Sequence, residues 1–169
     1  PLSSLSKLGT WKKTVRLGEK KASEFVRGLI VAYKKREGFL NKKIRVDDVL
    51  IEDFVHAFKH QDTIDQSLCW KNILHDFKSN RPLNRLICGD VGFGKTEMAI
   101  RTAFVASLNG LQCLVLAPTT ILASQLCSCF AARLSPFSAV AESFLSATKN
   151  KAVVVDNFVN NRVDVLVGT

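Results

Sequence analysis

Between Trp11 and Arg36, apolar residues recur at Val15, Ala22, Phe25, Val26, Leu29, Ile30 and Tyr33, close to a three-and-four spacing, with Lys and Arg filling many of the positions between them. That period predicts a long amphipathic helix with a strongly basic polar face. Gly38 and Asn41 punctuate its end. Asp47–Phe58 and Ile64–Phe77 read as two further helical stretches, and Asn80-Arg81-Pro82 breaks the chain. Beyond the break the period changes. Arg85-Leu86-Ile87-Cys88 reads as a short buried strand, followed by a Gly-rich turn and a helix from Lys95 to Leu108 that Asn109-Gly110 closes. Cys113–Ala117 is a second strand, Pro118-Thr119-Thr120 a connection, and Ile121–Leu134 a helix. A strand is expected near Ala139–Ala141, a helix over Lys151–Asn160 against the pull of the β-branched run Val153–Val155, and a last strand over Val163–Val167. Strands alternating with helices predict an α/β fold, a parallel sheet with flanking helices, preceded by the long basic helix.

Composition narrows the class without identifying it. The 169 residues are 47% hydrophobic and 23% charged, enough apolar material for a buried core, which excludes disordered, collagenous and low-complexity chains. No apolar run approaches the roughly 18–20 residues of a membrane span, and the N-terminus has no signal-like apolar stretch. A soluble, cytoplasmic chain with no membrane partner is therefore expected. Pro1 in place of Met, and a final run that stops as a strand would deliver its loop, read as a piece of a longer protein.

Charge is divided unevenly. Residues 1–46 hold 13 Lys and Arg against three acids, and the rest hold 11 against 12. The formal surplus of +9 thus belongs to the N-terminal arm. Such a block fits nucleic acid or another acidic surface, and equally a solvated helix face. The five cysteines (Cys69, Cys88, Cys113, Cys127, Cys129) lack zinc-finger spacing and fit a reducing compartment without disulfides, Cys88 and Cys113 sitting in apolar runs. The three histidines are scattered without partner cysteines, so no metal cluster is expected.

One motif carries chemistry. Gly89-Asp90-Val91-Gly92-Phe93-Gly94-Lys95-Thr96 fits the phosphate-binding pattern G-x-x-x-x-G-K-[ST], between an expected strand and an expected helix. Glycines let the backbone wrap a phosphate chain and aim N–H groups at it, and the helix adds its partial positive end. Lys95 would reach the β- and γ-phosphates of ATP, and the Thr96 hydroxyl would coordinate Mg²⁺. Glu97 follows directly and is counted with the loop. Hydrolysis also requires an acidic magnesium ligand on another strand. No apolar run ending in Asp-Glu follows the motif, and Asp156 and Asp164 read as solvated, so the catalytic half is not expected in these residues.

The run Arg85 to Arg101, with Phe93, Glu97, Arg101 and the pair Ala103-Phe104, resembles the motor of the bacterial transcription-repair coupling factor (Mfd) family, superfamily 2 translocases related to the RecG helicase. The resemblance implies a P-loop, RecA-like lobe. Upstream, Phe58-Lys59-His60-Gln61-Asp62-Thr63-Ile64-Asp65-Gln66 is similar to the family's adenine-reading segment F-x-x-E-x-T-P-D-Q. By that match Gln66 would bond the adenine edge, and Phe58 and Thr63 would shape the pocket. Ile64 and Gln61 depart from the family's Pro and Glu. Leu5–Lys12 resembles the linker after an RNA-polymerase-interacting domain, and the basic helix resembles the helix leading into the motor. Downstream, Pro118-Thr119-Thr120 with Gln125 matches helicase motif Ia, and Val163–Thr169, ending in Gly168-Thr169, matches motif Ib. In the family both hold the DNA backbone. For the threonines, turn and helix-capping chemistry is the plainer alternative.

Where the family shows Ser-Arg-Phe with a phosphate-contacting Arg, this chain reads Glu142-Ser143-Phe144, which is expected to weaken that contact. The resemblance implies two parts: a basic linker helix over 1–46 and, over 47–169, the N-terminal portion of the first RecA-like lobe, ending before the DExx box. It further implies ATP and Mg²⁺ as cofactors and double-stranded DNA as partner. In the parent, it implies displacement of stalled RNA polymerase and recruitment of excision-repair proteins. A RecG-like fork helicase lobe, or a non-catalytic nucleotide- or nucleic-acid-binding fragment, are the alternatives. Phe93 and the linker speak against the first, and Glu142 and Ile64 leave room for the second.

Overall fold

A computed structural model describes residues 8–37, 44–79 and 82–169. The expected punctuation at Gly38, Asn41 and Asn80-Arg81, and linker residues 5–7, lie outside them. The chain divides into two compact units, residues 1–41 and 42–169. The described residues of the first form one helix, α1 (Leu8–Glu37), as its period predicts.

The second unit is built around the helix that follows the glycine-rich loop. Its elements are α2 (Asp48–His56), α3 (Ile64–Lys78), α4 (Lys95–Leu108), β1 (Cys113–Leu116), α5 (Thr120–Leu134), β2 (Ala141–Phe144), α6 (Lys151–Val159) and β3 (Val165–Gly168). Both of α4's sides are apolar, so it is buried twice. Ile100, Ala103 and Phe104 pack with Phe54, Ala123, Phe130, Leu134, Val165 and Val167. Met98 and Val105 pack with Ile51, Trp70, Ile73 and Phe77 of α2 and α3. Phe54 and Phe104 stack with ring centroids 4.0 Å apart, holding α2 to α4. Ile44 and Val46 join the second cluster. Arg45 clips the segment to the end of α4: its N–H donates to the side-chain oxygen of Asn109, and its carbonyl accepts from the Asn109 amide.

The sheet is parallel, three-stranded and ordered β1-β3-β2. Central β3 buries Val165 and Val167 completely, which is why its apolar run is continuous. A Cβ placed on Gly168 would lie 2.9 Å from the Phe144 carbonyl of β2, backbone against backbone. Gly168→Ala is accordingly expected to cost about 1–3 kcal/mol, read as a lower urea midpoint; an unchanged midpoint would contradict this packing. Asp164 does more than face solvent. Its carboxylate accepts from the Val140 N–H at 2.8 Å, and its backbone bonds both Val140 and Cys113, tying the starts of all three strands.

Three expectations need correcting. Arg85–Cys88 is not a strand. A strand needs a neighbour to take its backbone groups, and here a cavity of about 390 Å³ separates Leu83, Arg85 and Ile87 from Cys113–Leu116 of β1. Leu86 is 87% exposed, and Cys88, expected to be buried, is exposed as well. The strand expected at 139–141 begins at Ala141 instead, because Ser135–Phe137 forms a 3₁₀ turn and Ser138 closes it with φ +62°. By contrast, Lys151–Val159 is helical as read, its β-branched run notwithstanding.

The segment entering the loop is anchored by charge. Arg85 donates to Asp76, near the end of α3, at 2.7 Å. That hydrogen bond outweighs burial and holds the Asp76 carboxyl below its ordinary value of 3.8. A lowered folded-state value means the pair stabilises the fold above that pH and is lost as pH falls through the folded value. Asp76→Asn should therefore lower stability modestly at pH 7, as for other part-exposed pairs, and the difference should shrink below pH 3.8. Chemical unfolding across pH checks it; a difference that grows in acid would contradict it.

Candidate nucleotide-binding site

The glycine-rich loop is a turn running straight into α4. Gly92 and Gly94 have φ of +85° and +71°, a region that residues with a Cβ enter only under strain. Gly94 is the N-cap of α4, without a side chain to cap it, and its carbonyl accepts from the N–H groups of Glu97 and Met98. The N–H groups of Lys95 and Thr96, the first two of the helix, have no acceptor within it. A Cβ on Gly92 would meet nothing, whereas one on Gly94 would sit 2.5 Å from Gln66. The Lys95 ammonium lies across the mouth of the loop, donating to the carbonyls of Gly89 and Asp90 at 2.7 and 2.5 Å. Val91 is 94% exposed, and Phe93 also faces solvent. Helix end, left-handed glycines and a tethered cation form an anion cradle whose parts fit a phosphate chain.

Two cavities flank the cradle. One, of about 540 Å³, is lined by Thr63, Gln66, Gly89, Asp90, Phe93 and Lys95 among others. The second, of about 430 Å³ and mostly apolar, is lined by Phe58, Gly94, Thr96, Glu97, Ile100 and Arg133 among others. The three residues that the resemblance assigns to a base are thus split: Thr63 and Gln66 face the first cavity, Phe58 the second. Thr63 and Gln66 are also a capping box for α3, each side chain bonding the other's backbone N–H. The Gln66 amide donates to the Phe93 carbonyl at 3.1 Å, so this segment is fastened to the loop itself.

Glu97 has a place that its position in the motif does not foretell. It is 5% exposed, and both its carboxylate oxygens are taken by arginines. Arg101 Nε donates to Oε1 at 3.0 Å, and Arg133 of α5 donates to both oxygens, at 2.8 and 3.3 Å. Arg101, 1% exposed, also forks onto Asp62 with two bonds of 2.6 and 2.8 Å. Burial opposes the Arg101 charge, but the bonds to Asp62 and Glu97 outweigh it and hold its pKa above the usual value. Arg133 donates to the Phe54 carbonyl, and both guanidinium groups lie within cation–π range of the Phe58 ring, at 5.8 and 5.2 Å. Asp62 and Arg133 were not foreseen as site residues. Their signal was a Glu–Arg pair at i, i+4 inside an otherwise apolar helix, charges that cannot be buried without partners.

Pro118, Thr119, Thr120, Gly168 and Thr169 meet at one end of the sheet. Leu116 pairs with Gly168 in register, and the Ala117 N–H donates to the Gly168 carbonyl at 2.9 Å. Thr119 is the N-cap of α5, its side-chain oxygen accepting from the Leu122 N–H. Thr120, Thr169 and Gln125 are exposed. Glu142 lies half-buried in β2, and its Oε2 has no hydrogen-bond partner among the described residues. Burial, with Glu142 adding to it, raises the pKa of the Cys127 thiol.

Fold and site place the chain in a class: it belongs to the DEAD/DEAH box helicase family, whose model matches residues 63–169. Within it, the chain is similar to the transcription-repair-coupling factors of Borreliella burgdorferi (37% identity, covering 95% of this chain and 14% of that protein) and Haemophilus influenzae (33%, covering 98% and 15%). That of Bacillus subtilis is 36% identical, over 98% of this chain and 14% of its own length. The chain thus spans about one seventh of these relatives. A solved structure of RecG bound to a three-way DNA junction superposes with a TM-score of 0.75 at 29% identity, over 82% of this chain and 19% of that one.

Proposed function

We propose that residues 42–169 are the ATP-binding part of the first motor lobe of a double-stranded-DNA translocase, with residues 1–41, which hold α1, as the basic segment leading into it. The parent's task is displacement of stalled RNA polymerase and coupling of transcription to excision repair in the cytoplasm. The observation that carries the reading is the cradle: left-handed Gly92 and Gly94, the α4 N-terminus and Lys95 around one opening. Lys95 would exchange its carbonyl partners for phosphate oxygens, and Thr96 would hold Mg²⁺, which when bound neutralises phosphate charge. Gln66 already spends one donor on Phe93 and one acceptor on Thr63. A carboxamide retains a further donor and acceptor, enough for an adenine edge. The exposed Thr120, Thr169 and Gln125 would meet a DNA phosphate near the α5 N-terminus, with Pro118 and Gly168 shaping the turns that carry them; Thr119 keeps its O–H as a donor while capping.

In this reading the 169 residues bind MgATP without turning it over, since hydrolysis also needs an acidic magnesium ligand at the end of another strand, and the described strands end in Leu116, Phe144 and Gly168. The test is a phosphate-release assay on the purified chain beside a binding titration. Binding without release supports the division; robust hydrolysis abolished by Lys95→Ala would overturn it.

A further inference from the structure

We propose that Asp62 and Arg101 are positioning residues that set the base selectivity of the nucleotide site, by fixing segment 58–66 against the helix that carries the phosphate cradle. The proposal rests on the nucleotide reading above and goes beyond it. Segment 58–66 is fastened to the loop-and-helix unit at two separate points. One is the Gln66 bond to the Phe93 carbonyl, inside the loop. The other is the Asp62 carboxylate in the fork of Arg101, on α4. Between these points lies Thr63, whose capping box orients the Gln66 amide. On the other side lies Phe58, with the Arg101 and Arg133 guanidinium groups over its ring. The side chains able to meet a base are thus held in part by the Asp62–Arg101 fork, whose described bonds include none of the loop residues 89–96.

Neither Asp62 nor Arg101 lines either cavity beside the loop, so neither touches a ligand there. Stability alone does not require such a network, because well-packed apolar residues often serve as well as a buried ion pair. A bidentate fork adds fixed geometry, which a single point charge would not. Its geometric consequence is that the base-facing amide and ring are set at one distance from the phosphate loop.

The experiment compares the affinities of the 169-residue chain for MgATP, MgGTP and magnesium pyrophosphate. Asp62→Asn is expected to reduce the ATP-to-GTP affinity ratio about tenfold, the net worth of one hydrogen bond, while pyrophosphate affinity stays within about twofold. Asp62→Glu should restore part of the ratio. Arg101→Lys keeps the charge and loses the fork; it should show the same loss and serves as the reading if Asp62→Asn does not fold. An unchanged ratio in these variants, equal binding of ATP and GTP by the unaltered chain, or parallel loss of ATP and pyrophosphate affinity would overturn the proposal. A chain that binds pyrophosphate and ATP but fails on these counts leaves the cradle intact and removes only the positioning role. Failure to bind either ligand would instead overturn the nucleotide reading itself.

Discussion

Arg101→Met is expected to remove about 3–5 kcal/mol of folding stability, a large part of the roughly 5–15 kcal/mol that a domain possesses. Arg101 is 1% exposed and is the only link between Asp62 and α4 among the described hydrogen bonds. Met fills much of the same space, so the loss comes from the carboxylates left behind and not from a cavity. Asp62 loses both its bonds, while Glu97 keeps Arg133. Neutralising the stranded partner as well, with Asp62→Leu in the same chain, should recover more than 1 kcal/mol, because the pair is coupled. Urea unfolding of the single and double variants measures both effects. A loss below about 1 kcal/mol in Arg101→Met, the size typical of exposed pairs, would show that the network is not buried as described.

Lys95→Ala carries the second large effect, and it falls on ligand instead of fold. The ammonium is exposed and, among the described residues, bonded only to the loop carbonyls of Gly89 and Asp90. Its removal should shift stability by no more than about 0.5 kcal/mol. Against a triphosphate, the same deletion forfeits a charge-assisted contact of about 2–3 kcal/mol, which corresponds to roughly 30–150-fold weaker MgATP binding. The two readouts separate the roles of two residues on one helix: loss of Arg101 destabilises the fold, loss of Lys95 only disarms it. A change in affinity below about threefold would mean that the cradle does not engage phosphate through Lys95. Charge reversal of Lys12, Lys13 and Arg16 should leave nucleotide affinity unchanged, since the surplus of the arm is no part of the cradle.

Local chemistry made much of this legible before any coordinates. The spacing of glycines before Lys95 fixes a phosphate loop because left-handed φ and helix N–H groups are properties of adjacent residues. Thr119 before Ile121 announces a helix cap for the same reason. Arg85–Cys88 was misread because a strand is a relation to a neighbour, and no count of apolar residues reveals that β1 lies across a cavity from it. The division of Phe58 from Thr63 and Gln66 was likewise invisible, since one segment passes from one side of the loop to the other within nine residues. Glu97 looked like part of the motif because it follows Thr96. Of its true partners, Arg101 lies four residues on in α4, within reach of a local pattern, whereas Arg133 of α5 and, behind Arg101, Asp62 of the turn before α3 are not. The Glu142 departure was visible, but its consequence was not: a strand register placed its Oε2 where no donor reaches.

The cradle is the center of the account, and titration calorimetry of the unaltered 169-residue chain with MgATP tests it most directly, repeated with pyrophosphate already bound. One saturable site, weakened by pyrophosphate in proportion to its occupancy, is the predicted result. Absence of binding at millimolar ATP, or binding indifferent to pyrophosphate, would contradict it.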